Sequence, residues 1–216
     1  MSIGYRNRRA VVLGLGLTGL SLARFLVRQG ADVRVADTRA DPPNRDVLGA
    51  ELPGVRIATG PYDDATFADV DLIAISPGVD ARDAAIRTAV AGGAEIAGDV
   101  ELFARELPAD QKVLAITGTN GKTTVASLTG ALTRAAGLQT VIAGNIGMPV
   151  LDTLATQAAG ASWPGVFVLE LSSYQLETTK SLKPIAAAVL NVSPNHMDRY
   201  AGIADYAGAK ARVFAQ

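Results

Sequence analysis

Two glycine-rich clusters in this sequence each follow a short apolar run and precede a helix-like segment, an order that can bring backbone N–H groups to a phosphate. The first, Gly14-Leu15-Gly16-Leu17-Thr18-Gly19, follows residues 10–13 and fits the pattern G-x-G-x-x-G. Asp37 lies 21 residues beyond Gly16, a spacing that suits a carboxylate accepting hydrogen bonds from a ribose diol. This cluster predicts a site for a nucleotide diphosphate, either a dinucleotide or a nucleotide sugar. A tightly packed turn without a ligand is the alternative.

The second cluster, Gly118-Thr119-Asn120-Gly121-Lys122-Thr123, follows residues 113–116 and resembles a P-loop. Its backbone N–H groups would cradle phosphates, the Lys122 ammonium would reach the β and γ oxygens, and the Thr123 hydroxyl would ligate Mg²⁺. The cluster departs from G-x-x-x-x-G-K-[ST] at the first glycine, where Ile116 stands. A Gly-Lys helix start without a ligand is the alternative. The ATP-binding residues that we expect are Gly118, Thr119, Asn120, Gly121, Lys122, Thr123 and Thr124.

Further polar residues follow predicted strands, where ligands gather in an open α/β sheet. Glu170 ends the apolar run 166–169 and could reach a Mg²⁺ ion held at the second cluster, although an acidic residue at a strand end can also cap a loop. Residues 171–177 are polar and loop-like, and Ser173 and Gln175 within them could hydrogen-bond a ligand. A solvated loop is the alternative for this segment.

The only histidine of the chain, His196, also follows an apolar run. A lone histidine is more often a surface residue than a metal ligand, and Mg²⁺ prefers carboxylates, phosphates and water. Residue type alone gives Lys210, on the last predicted helix, no role beyond that of a surface lysine.

Composition narrows the class of protein. The 216 residues carry 20 Lys and Arg against 21 Asp and Glu, a balance that argues against binding to nucleic acid or another polyanion. Cysteine is absent, which excludes disulfides, thiolate nucleophiles and Cys-ligated metals and fits a reducing, cytoplasmic setting. The basic start and apolar residues 10–23 are reminiscent of a signal peptide, but three glycines and Arg24 argue against one. No other window offers the ~20 apolar residues of a membrane span, so we expect a soluble protein without a membrane partner.

Apolar runs alternate with helix-like segments, which predicts an α/β fold with parallel sheets. Besides those named above, the predicted strands are residues 33–36, 55–58, 72–75, 140–143 and 185–190. The predicted helices extend from the first cluster to Arg28, over 81–91, over 99–107, from the second cluster to 136, and from Ile203 onward. A boundary near residues 97–99 gives two domains, 1–98 and 99–216. The second supplies only three helical segments for about four strands, so we expect it to be truncated.

Taken together, these residues resemble the Mur ligases, a family of ATP-dependent amide-bond-forming enzymes in peptidoglycan precursor synthesis. The resemblance rests on Gly14-Leu15-Gly16-Leu17-Thr18-Gly19-Leu20-Ser21, Asp37-Thr38-Arg39, Ser76-Pro77-Gly78, Gly118-Thr119-Asn120-Gly121-Lys122-Thr123, Gly144-Asn145-Ile146-Gly147, Glu170-Leu171-Ser172-Ser173 and His196-Met197-Asp198-Arg199-Tyr200. It extends over essentially the whole chain but only about half of a family member. It implies an N-terminal Rossmann-like parallel-sheet domain that binds a UDP-sugar, followed by an incomplete P-loop α/β domain that binds ATP.

The resemblance also implies an activity. We expect an ATP-dependent ligase that adds D-glutamate to UDP-N-acetylmuramoyl-L-alanine through an acyl phosphate, with ATP and Mg²⁺ as cofactors. This chain would be a fragment of it that lacks the C-terminal domain and is inactive alone.

Individual residues receive roles from the same resemblance. The catalytic residues would be Lys122, His196 and Lys210, with Lys210 acting as a carbamate formed with CO₂. The Mg²⁺ ligands would be Thr123, Glu170, His196 and Lys210. The substrate would be bound by Leu17 and Thr18 near the diphosphate, by Thr38 and Arg39 near the uridine, and by Asp37, Ser76, Asn145, Ser173 and Gln175.

The residues alone leave two other functions open. An NAD-dependent dehydrogenase would use the first glycine cluster but leave the second cluster and Glu170 without a role. A non-catalytic nucleotide-binding fragment is the other. A GTPase switch is disfavoured because no N-K-x-D-like segment is present to read guanine.

Overall fold

The computed structural model describes residues 4–158 and 160–214. The chain forms two compact units, one ending at Asp99 and the other beginning at Val100. Both contain parallel sheets with helices between the strands, so the predicted fold class is confirmed. None of the helices in the described ranges combines the length and apolar character needed to cross a bilayer.

The first unit alternates strands and helices. Its elements are β1 (Arg9–Leu13), α1 (Leu17–Arg28), β2 (Asp32–Asp37), α2 (Arg45–Glu51), β3 (Arg56–Thr59), α3 (Asp64–Phe67), β4 (Leu72–Ile75), α4 (Ala84–Ala91) and β5 (Glu95–Gly98). Within the described residues they build a five-stranded parallel sheet in the order β3-β2-β1-β4-β5. The strand order reverses beside β1, and ligands of open α/β sheets bind at the carboxyl ends of strands at such a reversal. The residues that follow β1, β2 and β4 therefore share the edge where a ligand is expected.

Local sequence explains why β1 and α1 form as they do. In β1 the side chains of Val11, Val12 and Leu13 are fully buried, as expected for a strand covered by helices on both faces. Helix α1 buries an apolar face that includes Phe25. It ends before Gly30, whose φ of +80° is incompatible with a continuing α-helix. The buried side chains of β1 and α1, on either side of the turn, therefore fix its position.

The second unit repeats this plan. Its elements are α5 (Asp99–Glu106, starting at the boundary), β6 (Val113–Thr117), α6 (Lys122–Ala135), β7 (Thr140–Gly144), a 3₁₀ turn (Val150–Asp152), α7 (Thr153–Ala158), β8 (Val166–Glu170), α8 (Ser173–Glu177), β9 (Ala186–Val189), α9 (Ile203–Ala211) and a 3₁₀ turn (Arg212–Phe214). Over the part of the chain that is described, the sheet is parallel with the order β7-β8-β6-β9. The central strand β6 pairs with β8 on one side and with β9 on the other.

Several predicted elements need correction. Residues 171–177 are not a loop, because Ser172 and Gln175 form a reciprocal capping box that starts α8. Helix α4 begins three residues later than predicted, since the Asp83 side chain accepts hydrogen bonds from the first free N–H groups. The last α-helix ends at Ala211 and continues as a 3₁₀ turn, and the predicted helical residues 215–216 lie outside the described ranges. Short elements that no pattern indicated are α2, α3, α7 and β5.

A buried carboxylate joins two segments of the second unit. Glu101 on α5, only 1% exposed, accepts hydrogen bonds from the backbone N–H groups of Lys180 (2.6 Å) and Ser181 (2.8 Å) and from the guanidinium Nε of Arg105 (2.8 Å). Burial opposes ionisation of Glu101, but these donors outweigh it and hold its pKa below the ordinary value. The carboxylate thereby fixes the segment after α8 against α5.

We expect Glu101→Gln to lower the free energy of unfolding of the second unit by about 2 kcal/mol, because the amide turns an N–H group toward donors that need an acceptor. Urea unfolding can be followed through Trp163, the only tryptophan, whose ring packs edge-on against Phe167 in β8. Asp110→Asn, which alters an exposed carboxylate of the same unit, is the matched control and should stay within about 0.5 kcal/mol of wild type. Equal stability of the two variants would contradict the role given to Glu101.

Candidate functional site

The turn after β1, residues 14–19, requires glycine at two of its three glycine positions. Gly14 has a φ of +82°. A Cβ at Gly19 would overlap the carbonyl oxygen of Gly14, which is backbone and cannot move aside. A Cβ at Gly16, in contrast, would meet no protein atom within 4 Å. The fold therefore explains Gly14 and Gly19, and Gly16 leaves open space at the N-terminus of α1.

Asp37 holds this turn from the end of β2. One carboxylate oxygen accepts from the backbone N–H of Leu15 (2.6 Å) and from Nη2 of Arg39 (2.6 Å), and the other accepts from Nε of Arg39 (2.8 Å). The Arg39 guanidinium, with help from the Leu15 N–H, lowers the pKa of Asp37 to about 2. Leu15 is also held through its carbonyl oxygen, which accepts from the Asn44 side chain (3.1 Å). The carboxylate expected to accept from a ribose is thus already engaged by intrachain donors, and ribose binding stays a prediction.

The remaining residues predicted for the UDP-sugar lie around the same turn. Ser76, following β4, is buried and donates its hydroxyl to the carbonyl oxygen of Gly14 (2.9 Å). Leu17 is 70% exposed and stands at the open start of α1 next to half-buried Thr18. Thr38 is exposed beyond β2, and the Arg39 side chain is half exposed although its guanidinium is bonded to Asp37. The structure brings Ser76 and Asp37 to the turn and leaves the other side chains accessible.

In the second unit, residues 118–121 form the turn between β6 and α6, which we call the phosphate loop. Gly118 and Gly121 have φ values of +153° and +78°, and α6 begins at Lys122. The first N–H groups of a helix have no intrahelical acceptor and attract anions. The Lys122 ammonium lies over the loop and donates to the carbonyl oxygen of Thr119 (3.0 Å). This arrangement places an ammonium and the start of a helix at one point, where an anion is expected.

The phosphate loop offers fewer free N–H groups than the sequence indicated. The backbone N–H of Thr119 donates to the carbonyl oxygen of Asn191 (3.0 Å), and that of Asn120 donates to the Asn191 side-chain oxygen (2.9 Å). The expected cradle over the whole cluster therefore loses the N–H groups of Thr119 and Asn120.

Glu170 meets two other predicted residues beside the loop. It ends β8, is 1% exposed, and accepts from the Thr123 hydroxyl (2.8 Å) through one oxygen and from the Asn145 side-chain amide (2.8 Å) through the other. Thr123 and Glu170 supply hard oxygen donors of the kind that Mg²⁺ prefers. Among the described residues, no group of three or more His, Asp or Glu side chains could hold a metal ion without help from a ligand.

Lys210 is not a surface lysine. Its side chain is 1% exposed, and Nζ donates to the carbonyl oxygen of Gly118 (2.8 Å) and lies 4.4 Å from the centre of the Tyr206 ring. Burial lowers the pKa of Lys210 below its ordinary value. His196 is exposed with a φ of +55°, and its ring centre lies 4.8 Å from that of Tyr174. Lys210 thus reaches the phosphate loop, and the roles of both residues as metal ligands stay predictions.

Ser173 and Gln175 are both buried, and the Gln175 side-chain oxygen accepts from the backbone N–H of Ser172 (3.1 Å). The Ser-x-x-Gln spacing is the signature of a capping box and could have indicated this structural use. Sequence reasoning also missed Asn44 and Asn191, each of which holds a glycine-rich turn through its side chain. No local pattern marks either asparagine.

The glycine turn allows a direct comparison of two substitutions. Gly19→Ala should lower the melting temperature of the first unit by several degrees because its Cβ overlaps backbone, whereas Gly16→Ala should leave it unchanged. Circular dichroism on heating measures both. Equal melting of the two variants would show that the close approach at Gly19 is not needed.

Asp37 gives a pH-dependent prediction. Because its folded-state pKa of about 2 lies below the ordinary value of 3.8, its stabilising effect is complete above pH 4 and is lost as the pH falls towards 2. The stability advantage of wild type over Asp37→Asn should therefore be about 1–2 kcal/mol at neutral pH, allowing for the exposure of Arg39, and should shrink between pH 4 and 2. Urea unfolding followed by circular dichroism at several pH values measures this difference. A constant difference over that range would contradict the assignment.

Comparisons with known proteins agree with this two-part layout. The family model described as Mur ligase MurD-like, N-terminal domain, matches residues 8–98, and the model described as Mur ligase middle domain matches residues 116–216. A UDP-N-acetylmuramoylalanine–D-glutamate ligase from Thiobacillus denitrificans is 53% identical over 222 residues, covering 96% of this chain and 47% of that protein. A ligase of the same name from Methylobacillus flagellatus is 51% identical over 209 residues, covering 97% of this chain and 45% of that protein. The chain spans about half the length of the curated relatives it matches.

Solved structures support the fold. A UDP-N-acetylmuramate:L-alanyl-gamma-D-glutamyl-meso-diaminopimelate ligase from Neisseria meningitides matches with a TM-score of 0.60 at 21% identity, covering 96% of this chain and 67% of that one. A UDP-N-acetylmuramate-alanine ligase from Thermotoga maritima matches with a TM-score of 0.53 at 19% identity, covering 95% and 46%. With both family models matched in chain order and relatives at about 50% identity across its length, the chain belongs to the Mur ligase family.

Proposed function

We propose that this chain is the part of a cytoplasmic, ATP-dependent ligase that binds UDP-N-acetylmuramoyl-L-alanine and ATP, and that the ligase adds D-glutamate to that substrate during peptidoglycan precursor synthesis. Support for the choice of amino acid comes from the names of the relatives at 51% and 53% identity. Support for the two nucleotide sites comes from the two glycine-rich turns at the carboxyl edges of parallel sheets. Residues 1–98 would form the UDP-sugar domain and residues 99–216 the ATP domain.

One observation carries the proposal for ATP: the hydroxyl of Thr123 lies 2.8 Å from the buried carboxylate of Glu170, next to a helix that starts with Lys122. Hydroxyl and carboxylate oxygens fit Mg²⁺, which commonly takes one or two carboxylates together with substrate phosphates. Thr123 and Glu170 would hold this ion, and His196 and a carbamate of Lys210 would add ligands for a second one. When bound, Mg²⁺ neutralises charge on the phosphates.

Lys122 would supply the other positive charge. Its ammonium needs only to exchange the Thr119 carbonyl for a phosphate oxygen, because it already lies over the phosphate loop. The N–H groups of Gly121, Lys122, Thr123 and Thr124 would face the same oxygens. Thr119 and Asn120 would shape the loop through their backbone rather than donate to ATP, since their N–H groups are engaged by Asn191. Gly118 would contribute the positive φ with which the loop begins.

The open space at Gly16 would receive the diphosphate of the UDP-sugar, with Leu17 and Thr18 against it at the N-terminus of α1. Thr38 and Arg39, both exposed, would contact the uridine. The other residues proposed to bind substrate are Asp37, Ser76, Asn145, Ser173 and Gln175.

The reaction would proceed in two displacements. The terminal carboxylate of the UDP-sugar peptide takes the γ-phosphoryl group of ATP, giving an acyl phosphate and ADP. The amine of D-glutamate then attacks the acyl carbon, the tetrahedral intermediate expels phosphate, and the nitrogen loses a proton as the amide forms. Phosphoryl transfer depends on charge neutralisation and positioning, which is what Lys122 and the first turn of α6 can supply.

Calorimetric titration of this chain tests the proposal. We expect binding of MgATP and of UDP-N-acetylmuramoyl-L-alanine, and no competition by NAD for the latter. Lys122→Ala should weaken MgATP binding roughly 10- to 100-fold, the effect of losing a charge-assisted contact, and leave the affinity for the UDP-sugar peptide unchanged.

The matched control is Lys112→Ala, which removes an exposed lysine that precedes β6, at the opposite end of that strand from the phosphate loop. Its MgATP affinity should equal that of wild type. Tight NAD binding, or wild-type MgATP affinity in Lys122→Ala, would refute the proposal.

A further inference from the structure

Asn191 lies beside the phosphate loop because parallel strand pairing continues past the ends of the strands. β6 and β9 pair with Thr117 opposite Val189. The backbone N–H of Leu190 then donates to the carbonyl oxygen of Thr117 (3.0 Å), and that of Thr119 donates to the carbonyl oxygen of Asn191 (3.0 Å). The sheet register thus brings Asn191 alongside the loop.

The Asn191 side chain holds both polar backbone groups of Asn120. Its oxygen accepts from the backbone N–H of Asn120 (2.9 Å), and its nitrogen donates to the carbonyl oxygen of the same residue (3.0 Å). A carboxamide carries an acceptor and a donor in one plane, a combination that a carboxylate or a hydroxyl does not present in this form. Both residues are exposed, so these hydrogen bonds set the direction of the backbone more than they add to stability.

The loop needs such a constraint because of the glycines on either side of Asn120. Gly118 and Gly121 both adopt positive φ, and glycine has the largest conformational freedom to lose. Holding the backbone at Asn120 removes part of that freedom before a ligand arrives, which lowers the cost of binding. It also fixes the direction in which the N–H groups of Gly121 and Lys122 point.

A second contact fixes the neighbouring residue. The backbone N–H of Ser193 donates to the Thr119 hydroxyl (3.1 Å), so the segment after β9 holds two consecutive residues of the loop. The Asn191 side chain bonds the backbone of Asn120 through both its oxygen and its nitrogen, so it organises the loop.

We infer that Asn191 is a positioning residue for the phosphate loop, acting on ATP through the backbone of Asn120. The inference rests on the proposed function, since it needs ATP to bind at this loop. It assigns a role to a residue outside the glycine-rich cluster, in the segment that follows β9.

The first test compares Asn191→Ala with Gln111→Ala. Gln111 is also an amide side chain of the second unit that bonds backbone, donating to the carbonyl oxygen of Pro164 (3.0 Å), but it precedes β6 and lies at the other end of that strand. We expect Asn191→Ala to bind MgATP roughly tenfold more weakly than wild type in calorimetry. Gln111→Ala should keep wild-type affinity, while the melting temperatures of the two variants, read from Trp163 fluorescence, should fall by similar small amounts.

The second test needs no variant. Amide hydrogen exchange of the wild-type chain, measured by NMR, should show the Asn120 N–H protected without nucleotide and unchanged when MgATP is added. The Gly121 and Lys122 N–H groups should gain protection only with MgATP. This measurement serves even if Asn191→Ala fails to fold.

The outcomes separate the two hypotheses. If the wild-type chain does not bind MgATP, the proposed function fails and the role of Asn191 toward ATP fails with it, whatever the Asn120 amide shows. If wild type binds MgATP but Asn191→Ala binds it equally well, or the Asn120 amide is unprotected until nucleotide is added, the inference alone is overturned.

Discussion

The pairing of β6 with β8 on one side and with β9 on the other is the constraint on which the proposed ATP site depends. The register places Ile116 opposite Glu170, and Thr117 opposite Val189. Because the three strands are parallel, the residues that follow them leave the sheet at one edge, so the phosphate loop, Glu170 and Asn191 arrive together. A slip of one residue would turn Glu170 to the other face of the sheet and remove the partner of Thr123. The site is therefore a product of strand register as much as of the loop itself.

In the first unit, different groups hold the glycine-rich turn in place. Leu13 pairs with Ala36, so Asp37 follows alongside and reaches the backbone N–H of Leu15. In both units, a side chain from the end of a neighbouring strand satisfies backbone groups of a glycine-rich turn. What stays available to a ligand is the start of the following helix, where unpaired N–H groups and the helix dipole favour an anion.

The parts of this fold that could be predicted are those with a local cause. Buried β-branched runs gave β1 and β6, and the two glycine clusters indicated both turns with their helices. Strand β5 has one large apolar residue, Ile96, and is a strand because β4 lies next to it, which no local pattern states. The contacts of Asn191 were unpredictable for the same reason, since they depend on which strand is the neighbour of β6. Asp37 shows a different limit, because its position was expected but its pairing with Arg39, two residues away, was not.

Gly16 also has a practical consequence. The chain contains no cysteine, and a side chain at Gly16 meets no protein atom nearby. A thiol introduced at this position would be unique in the polypeptide and would project into the open start of α1. A fluorescent label attached there would fill that space and compete with any ligand for it, without disturbing the packing that Gly14 and Gly19 maintain.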